Sequence, residues 1–254
     1  MLKVRIIPTL LYDSPTLVKG AHFNNWRTVG SALQAVRVFN LRGVDELIFI
    51  DIAASQNKMM PDIGLVDELA DECFMPLTVG GGISSVDHIG DLLRVGADKV
   101  VINSAAIDDS ELIGRAANTF GSQCIVVGMD VKKTQTSGAY QVFSHCGTTL
   151  TTFDPIEYCK RAEDFGAGEM LITSIDRDGS MKGYDIDFIE RVSREVSIPI
   201  IVSGGAGQPD HFFRAAQIPG VMGLAAGSIF FFTEHTPLTV REYLKENGIS
   251  VRSS

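Results

Sequence analysis

No apolar run in the sequence approaches the roughly 20 residues that a membrane-crossing helix needs. The opening segment, MLKVRIIPTLL, is broken by Pro8 and lacks the long apolar stretch and small-residue cleavage site of a secretory leader. A cytoplasmic location is the expectation. Cysteine is scarce, and Cys73, Cys124, Cys146 and Cys159 form no CxxC and no close pair. That excludes a disulfide framework and predicts reduced, mostly buried thiols. The histidines show no metal-ligand spacing, and there is no HExxH, no Cys/His cluster and no arguable Ser-His-Asp arrangement. No metal is expected, and no cofactor, since GxGxxG is also missing. Positive charge is short as well: 22 Lys and Arg stand against 31 Asp and Glu, a net charge of −9. Nucleic acids and anionic membranes need basic surfaces, so neither is an expected partner. Small phosphorylated ligands stay open, because backbone N–H groups can hold them.

What the sequence does have is short β-branched runs alternating with helical period. Strands are predicted at VRIIPTL from Val4, ELIFID from Glu46, PLTV from Pro76, KVVI from Lys99, IVVGMD from Ile125, EMLIT from Glu169, PIIV from Pro199 and VMGLAA from Val221. Amphipathic stretches lie between them, such as the one carrying Leu33, Val36 and Phe39. Continuously apolar strands are covered on both faces, which is the signature of a parallel β/α protein. Without a marked linker, closure into one (β/α)8 (TIM) barrel domain over residues 1–254 is predicted; an open doubly wound sheet is the alternative. Two connections are long, 11–29 and 131–153, and the second contains an alternating AYQVF that can form a small hairpin. Both follow strands and so sit at the end where barrels do chemistry.

The chain also repeats itself. VGGGI from Val79 and VSGGAG from Val202 place Gly80 and Gly204 at an offset of 124, and GADKVVINSAA from Gly96 matches GVMGLAAGS from Gly220 at the same offset. Two fused half-barrels are predicted. Gly80, Gly81 and Gly82 follow strand three, and Ser203, Gly204 and Gly205 end strand seven; glycines at such turns let N–H groups approach an anion. Asn103-Ser104 and Gly227-Ser228 at the next strand ends can complete each cradle, with Asp178-Gly179 beside the second. Two phosphate sites across one mouth imply a small molecule phosphorylated at both ends. Asp51, Asp130 and Asp176 end or follow strands and can relay protons there, or simply cap loops. Thr78 and Thr173 are placed at the mouth with them. Lys19 reads either as a lid cation or as a solvated surface lysine. At the opposite end, Arg5, Glu46, Lys99 and Glu169 sit at strand starts and can close a ring of salt bridges, which composition alone reads as a structural plug.

These residues resemble the cyclase subunit family of imidazole glycerol phosphate synthase, nearly end to end. The likeness is carried by RII at Arg5, VKG at Val18, TVGGGI from Thr78, GADKVxIN from Gly96, FGSQ at Phe120, GAGE-LxTSIDRDG from Gly166, GYD from Gly183 and PIIxSGGAG from Pro199. The resemblance implies a (β/α)8 barrel with a doubly phosphorylated substrate across its mouth. It also implies a glutaminase docked on the bottom that sends ammonia through the barrel, with Arg5, Glu46, Lys99 and Glu169 as the ammonia gate. It makes Asp130 catalytic, paired in the family with an acid at the end of strand one. Here that position is Leu11. A branch of the family with a non-acidic residue there supplies ammonia for amidation of an activated N-acetyl sugar in surface-polysaccharide biosynthesis, through a separate amidotransferase, and DECFMPL resembles that branch. Leu11 makes the branch the leading expectation, ahead of a true histidine-pathway cyclase (a lyase) and of a non-catalytic regulatory barrel.

Overall fold

The structure, a computed structural model, describes residues 3–57, 59–134 and 138–252. Among them are twelve strands: β1 (Arg5–Asp13), β2 (Thr16–Ala21), β3 (Asn24–Gly30), β4 (Leu47–Asp51), β5 (Leu77–Gly80), β6 (Lys99–Ile102), β7 (Ile125–Lys133), β8 (Tyr140–Ser144), β9 (Thr149–Leu150), β10 (Glu169–Ser174), β11 (Ile200–Ser203) and β12 (Val221–Ala226). Eight of these pair in parallel in the order β1, β4, β5, β6, β7, β10, β11, β12, and β12 returns to β1. Closure leaves the eight-stranded ring without an edge, and the predicted (β/α)8 barrel is the fold. All eight predicted strands are present within a residue or two of their expected starts.

Helices of eight to ten residues follow the strands, from Ala32–Leu41 to Pro237–Glu246. Their starts are locally determined. Asp62, Ser85, Asp154 and Thr236 accept hydrogen bonds from first-turn N–H groups that have no helical partner. Proline opens the helices at 155, 209 and 237, where its missing N–H costs nothing. Each helix then buries one stripe on the barrel's outer face; Val36 and Phe39, or Ile89 and Leu92, are examples. A second, smaller core fills the barrel itself: Ile7, Ile48, Val101, Val126, Leu171, Ile201 and Ala225. The two-residue period of a strand explains the layering. Along β1, Arg5 reaches the floor, Ile7 the inner apolar band, and Thr9 and Leu11 the mouth.

The stretch 11–29, expected as an irregular connection, is instead regular. β1 overruns the barrel to Asp13, and β2 and β3 fold onto it antiparallel, with Leu11 opposite Val18 and Val18 opposite Thr28. The turn falls on His22 and Phe23, at φ of 56° and 58°. Hairpin turns of this hand normally carry Asn or Gly, so the residue types conceal it. The hairpin expected after strand five is present: β7 overruns to Lys133 and pairs with β8, Asp130 opposite Phe143, and β8 pairs with β9. Residues 135–137 of that stretch lie outside the described residues. The half-barrel repeat therefore extends to these hairpins, and Leu11 and Asp130 hold corresponding places in the two halves.

Candidate active site

The carboxyl ends of the strands surround a cavity of about 220 Å³. Asp130 enters it from β7, beside Thr173 of β10, and receives a hydrogen bond from Asn103 Nδ2 at 2.9 Å. Burial pushes its carboxyl up to about 7, opposed by the Asn103 amide and reinforced by Asp178. Such a group holds or releases a proton near neutrality, as general acid–base chemistry requires. Leu11 lines the cavity from β1, braced by Val18 and Ile50. Asp13, two residues further on, pairs with Thr16, is exposed, and does not line the cavity. The strand runs straight past the rim, so Asp13 does not stand in for an acid at position 11.

Lys19 is neither a loose lid nor a surface lysine. It is 5% exposed and donates from Nζ to the Thr9 carbonyl at 2.6 Å. Its ammonium lies where a Cβ on Gly227 would fall. Burial lowers its pKa to about 8, with Asp178 pulling the other way. The hairpin that carries it is seated by His22 N–H on the Asp178 carbonyl (3.0 Å) and Phe23 N–H on Asp178 Oδ2 (3.4 Å). Burial raises the Asp178 carboxyl as well, with Lys19 opposing the rise. Asp178 thus anchors the hairpin and faces a cation.

Two glycine turns flank these groups. Gly81 and Gly82 have φ of 110° and 61°; Gly204 and Gly205 have 90° and 108°. A Cβ at Gly81 would land on the Asp51 carbonyl, and one at Gly205 on the Gly183 carbonyl. Only glycine fits these turns, which line the cavity. Gly81→Ala is expected to lower stability by about 1–3 kcal/mol through backbone strain alone. Urea unfolding midpoints with and without the substitution check this; unchanged midpoints would contradict the strain.

Gly179, Ser104, Ser203, Gly227, Ser228 and Thr173 also line the cavity. Two of the predicted cradle groups have other duties: the Asn103 amide binds Asp130, and Ser104 Oγ accepts from His145 N–H at 2.9 Å. Asp51 lines the cavity and caps the helix Ile52–Gln56 through Ala53 and Ala54 N–H; burial raises its pKa against those bonds.

Two placements are corrected. Thr78 is at the floor, where its hydroxyl donates to Glu46 Oε1 at 2.8 Å, because it lies one inward position below Gly80 on β5. Asp176 does not line the cavity; its Oδ2 accepts Lys133 N–H at 2.7 Å on the rim. The sequence reading missed Phe23, Trp26 and Cys146, which line the mouth. Burial pushes the Cys146 thiol up to about 11.

The floor is the predicted ring. Arg5 bridges Glu46 (2.6 Å) and Glu169 (3.0 Å), and Lys99 bridges the same two at 3.1 and 3.2 Å. Burial acts to lower the Arg5 pKa, but the two glutamates outweigh it and raise it. The inner apolar band of Ile7, Ile48, Val101 and Leu171 lies between ring and mouth. Among the described residues no group of acidic, His or Cys side chains could hold a metal, and no helix is long and apolar enough to cross a membrane.

A closed eight-stranded β/α barrel with a buried carboxyl among its strand ends, and a ring of charge across its floor, defines the class. The chain belongs to the family described as "Histidine biosynthesis protein", which matches residues 5–236. Its relatives include three proteins named imidazole glycerol phosphate synthase subunit HisF. That of Clostridium botulinum (strain Kyoto / Type A2) is 42% identical, that of Chlorobaculum parvum 44% and that of Chlorobaculum tepidum 43%. Each alignment runs over 252 residues, 99% of this chain and 100% of the relative.

Proposed function

We propose that this chain is the cyclase subunit of an imidazole glycerol phosphate synthase, receiving ammonia from a glutaminase docked on its floor. What carries the reading is the full-length likeness to HisF subunits, in a chain that keeps both glycine turns, Asp130 and the four-membered floor ring. In this reading the turns at Gly81-Gly82 and Gly204-Gly205 grip the two phosphates of the substrate. The floor ring admits ammonia, and the neutral molecule crosses the apolar band, where ammonium would be heavily penalised. Asp130 moves protons at the reacting carbon.

The test is cyclisation of the doubly phosphorylated precursor with an ammonium salt, wild type beside Leu11→Asp. Wild type is expected to release imidazole glycerol phosphate slowly. The aspartate is expected to accelerate it by about 10²-fold or more, the usual worth of a second acid–base group.

One observation favours a second reading. Leu11 is an aliphatic side chain at the place that corresponds to Asp130 in the other half, which fits a barrel that only conducts ammonia toward amidation of an activated N-acetyl sugar by a separate amidotransferase. The likeness to HisF subunits weighs for the cyclase. Wild type that stimulates a glutaminase but yields no cyclised product would reverse the order.

A further inference from the structure

A second cavity adjoins the mouth at the β2–β3 hairpin. It is open, has a volume of about 400 Å³, and so falls within the range of small-molecule sites. Trp26, Gly179 and Ser228 line both cavities, so this outer pocket begins where the mouth ends. Its charge differs from that of the chain around it. The chain carries a net charge of −9, yet among the described residues none that line the pocket is acidic, and Arg27 brings a cation. Among the described residues the Arg27 guanidinium meets no carboxylate; it lies over the Phe232 ring, 4.9 Å from the centroid. Phe232 ends the helix Ser228–Phe232 and is 40% exposed. The Trp26 indole lies against the β2 backbone, where a Cβ on Gly20 would stand 2.8 Å from its Cε3. Two aromatic rings and an unpaired guanidinium therefore share a concave surface that neither burial nor an ion pair explains.

We propose that this outer pocket binds the base of a nucleotide whose phosphate lies against Gly179 and Ser228. Every nucleobase has a π-face, and aromatic rings and arginine hold it by stacking and cation–π attraction without reading its identity. Asn25, at the pocket's edge, adds an amide that can donate to or accept from a base. The shared wall supplies the other half of the ligand's chemistry. Gly179 and Ser228 line the mouth together with the Gly204-Gly205 turn, to which the cyclase reading gives a phosphate, and the proposal rests on that reading for the phosphate's position. The base extends outward, away from the barrel axis, past Trp26. A nucleotide seated this way covers the second phosphate turn and competes with any guest phosphorylated at that end.

The competing account is a site for phosphate alone, with Trp26 and Phe232 only packing the hairpin against the barrel. Trp26 is the single tryptophan of the chain, so its fluorescence reports the pocket directly. The full chain should be titrated with AMP, ribose 5-phosphate and inorganic phosphate, following the indole emission and, in parallel, the heat of binding. AMP is expected to quench Trp26 and to bind at least about tenfold more tightly than ribose 5-phosphate, the share that stacking of one base contributes. Inorganic phosphate should displace it. Phe232→Ala and Arg27→Ala, both at exposed side chains and verified as folded by circular dichroism, are each expected to weaken AMP about fivefold or more. Phe232→Ala should leave ribose 5-phosphate within about twofold of wild type. Equal affinities for AMP and ribose 5-phosphate overturn the proposal while leaving the phosphate turn intact, as does either folded variant binding AMP as wild type does. If none of the three probes binds, the phosphate turn of the cyclase reading falls and the nucleotide site with it.

Discussion

Asp130→Asn is expected to cut ammonia-driven turnover about 10²- to 10⁴-fold, since an amide cannot take a proton from nitrogen or return one to oxygen. The same substitution should make the protein more stable above pH 7. The folded-state pKa of Asp130, about 7, is well above the ordinary carboxyl value near 4. Folding therefore favours the protonated form. The resulting stability is complete below about pH 4 and is lost as pH rises toward and through 7, where the ionised group is held at a cost. Each pKa unit corresponds to about 1.4 kcal/mol, so the cost at pH 8 is no more than about 4 kcal/mol, reduced by any water in the cavity. Asparagine removes it. Thermal midpoints of both proteins at pH 8 and at pH 4 check the sign: the variant should lead at pH 8, and the gap should close at pH 4. A variant that is active, or less stable at pH 8, contradicts the role and the buried environment together.

The second large effect belongs to the floor. Glu46 is 1% exposed and holds Arg5, Lys99 and the Thr78 hydroxyl at once. A buried ion network need not add stability over an apolar plug, but removing one member leaves the others desolvated and unpaired. Glu46→Ala strands two cations on Glu169 alone, and the expected cost is about 3–5 kcal/mol. For a chain of this length that is a fall in Tm of roughly 6–20 °C. The exposed pair Arg37–Glu72, with side chains 60% and 37% exposed, is the control: Glu72→Ala should move Tm by no more than a degree or two. Equal shifts for the two glutamates, read by circular dichroism melts, would mean that the floor ring is not energetically closed.

Much of this was legible in the residues because the physics acting on them is local. Barrel strands buried on both faces must be apolar throughout, so the run from Ile125 and that from Val221 announced themselves. The glycine turns were legible because a Cβ at Gly81 or Gly205 collides with backbone. The floor ring was legible as charge at the start of otherwise apolar strands, with little else to explain Glu46 or Lys99. What escaped depends on register or on distant packing. Thr78 looked like a mouth residue beside the glycines, yet one step of the two-residue period sends it to the floor. The hairpin of β2 and β3 was hidden by a turn of histidine and phenylalanine. With it went Phe23 and Trp26, and the inward course of Lys19, whose burial is set by Gly227 more than two hundred residues away. Asp176 and Asp178, two residues apart, went to a rim hydrogen bond and a hairpin anchor by differences in loop direction that residue type does not encode.

The overlong first strand of each half, each with its own antiparallel hairpin, gives the two sides of the mouth a related layout but opposite chemistry at Leu11 and Asp130. A duplicated scaffold gripping its guest by similar turns would accept it head first or tail first with little preference. An aliphatic wall facing an acid ends that indifference, because only one end-to-end sense brings a polar reacting centre beside Asp130. Leu11 is thus where this molecule's ancestral symmetry gives way to a direction.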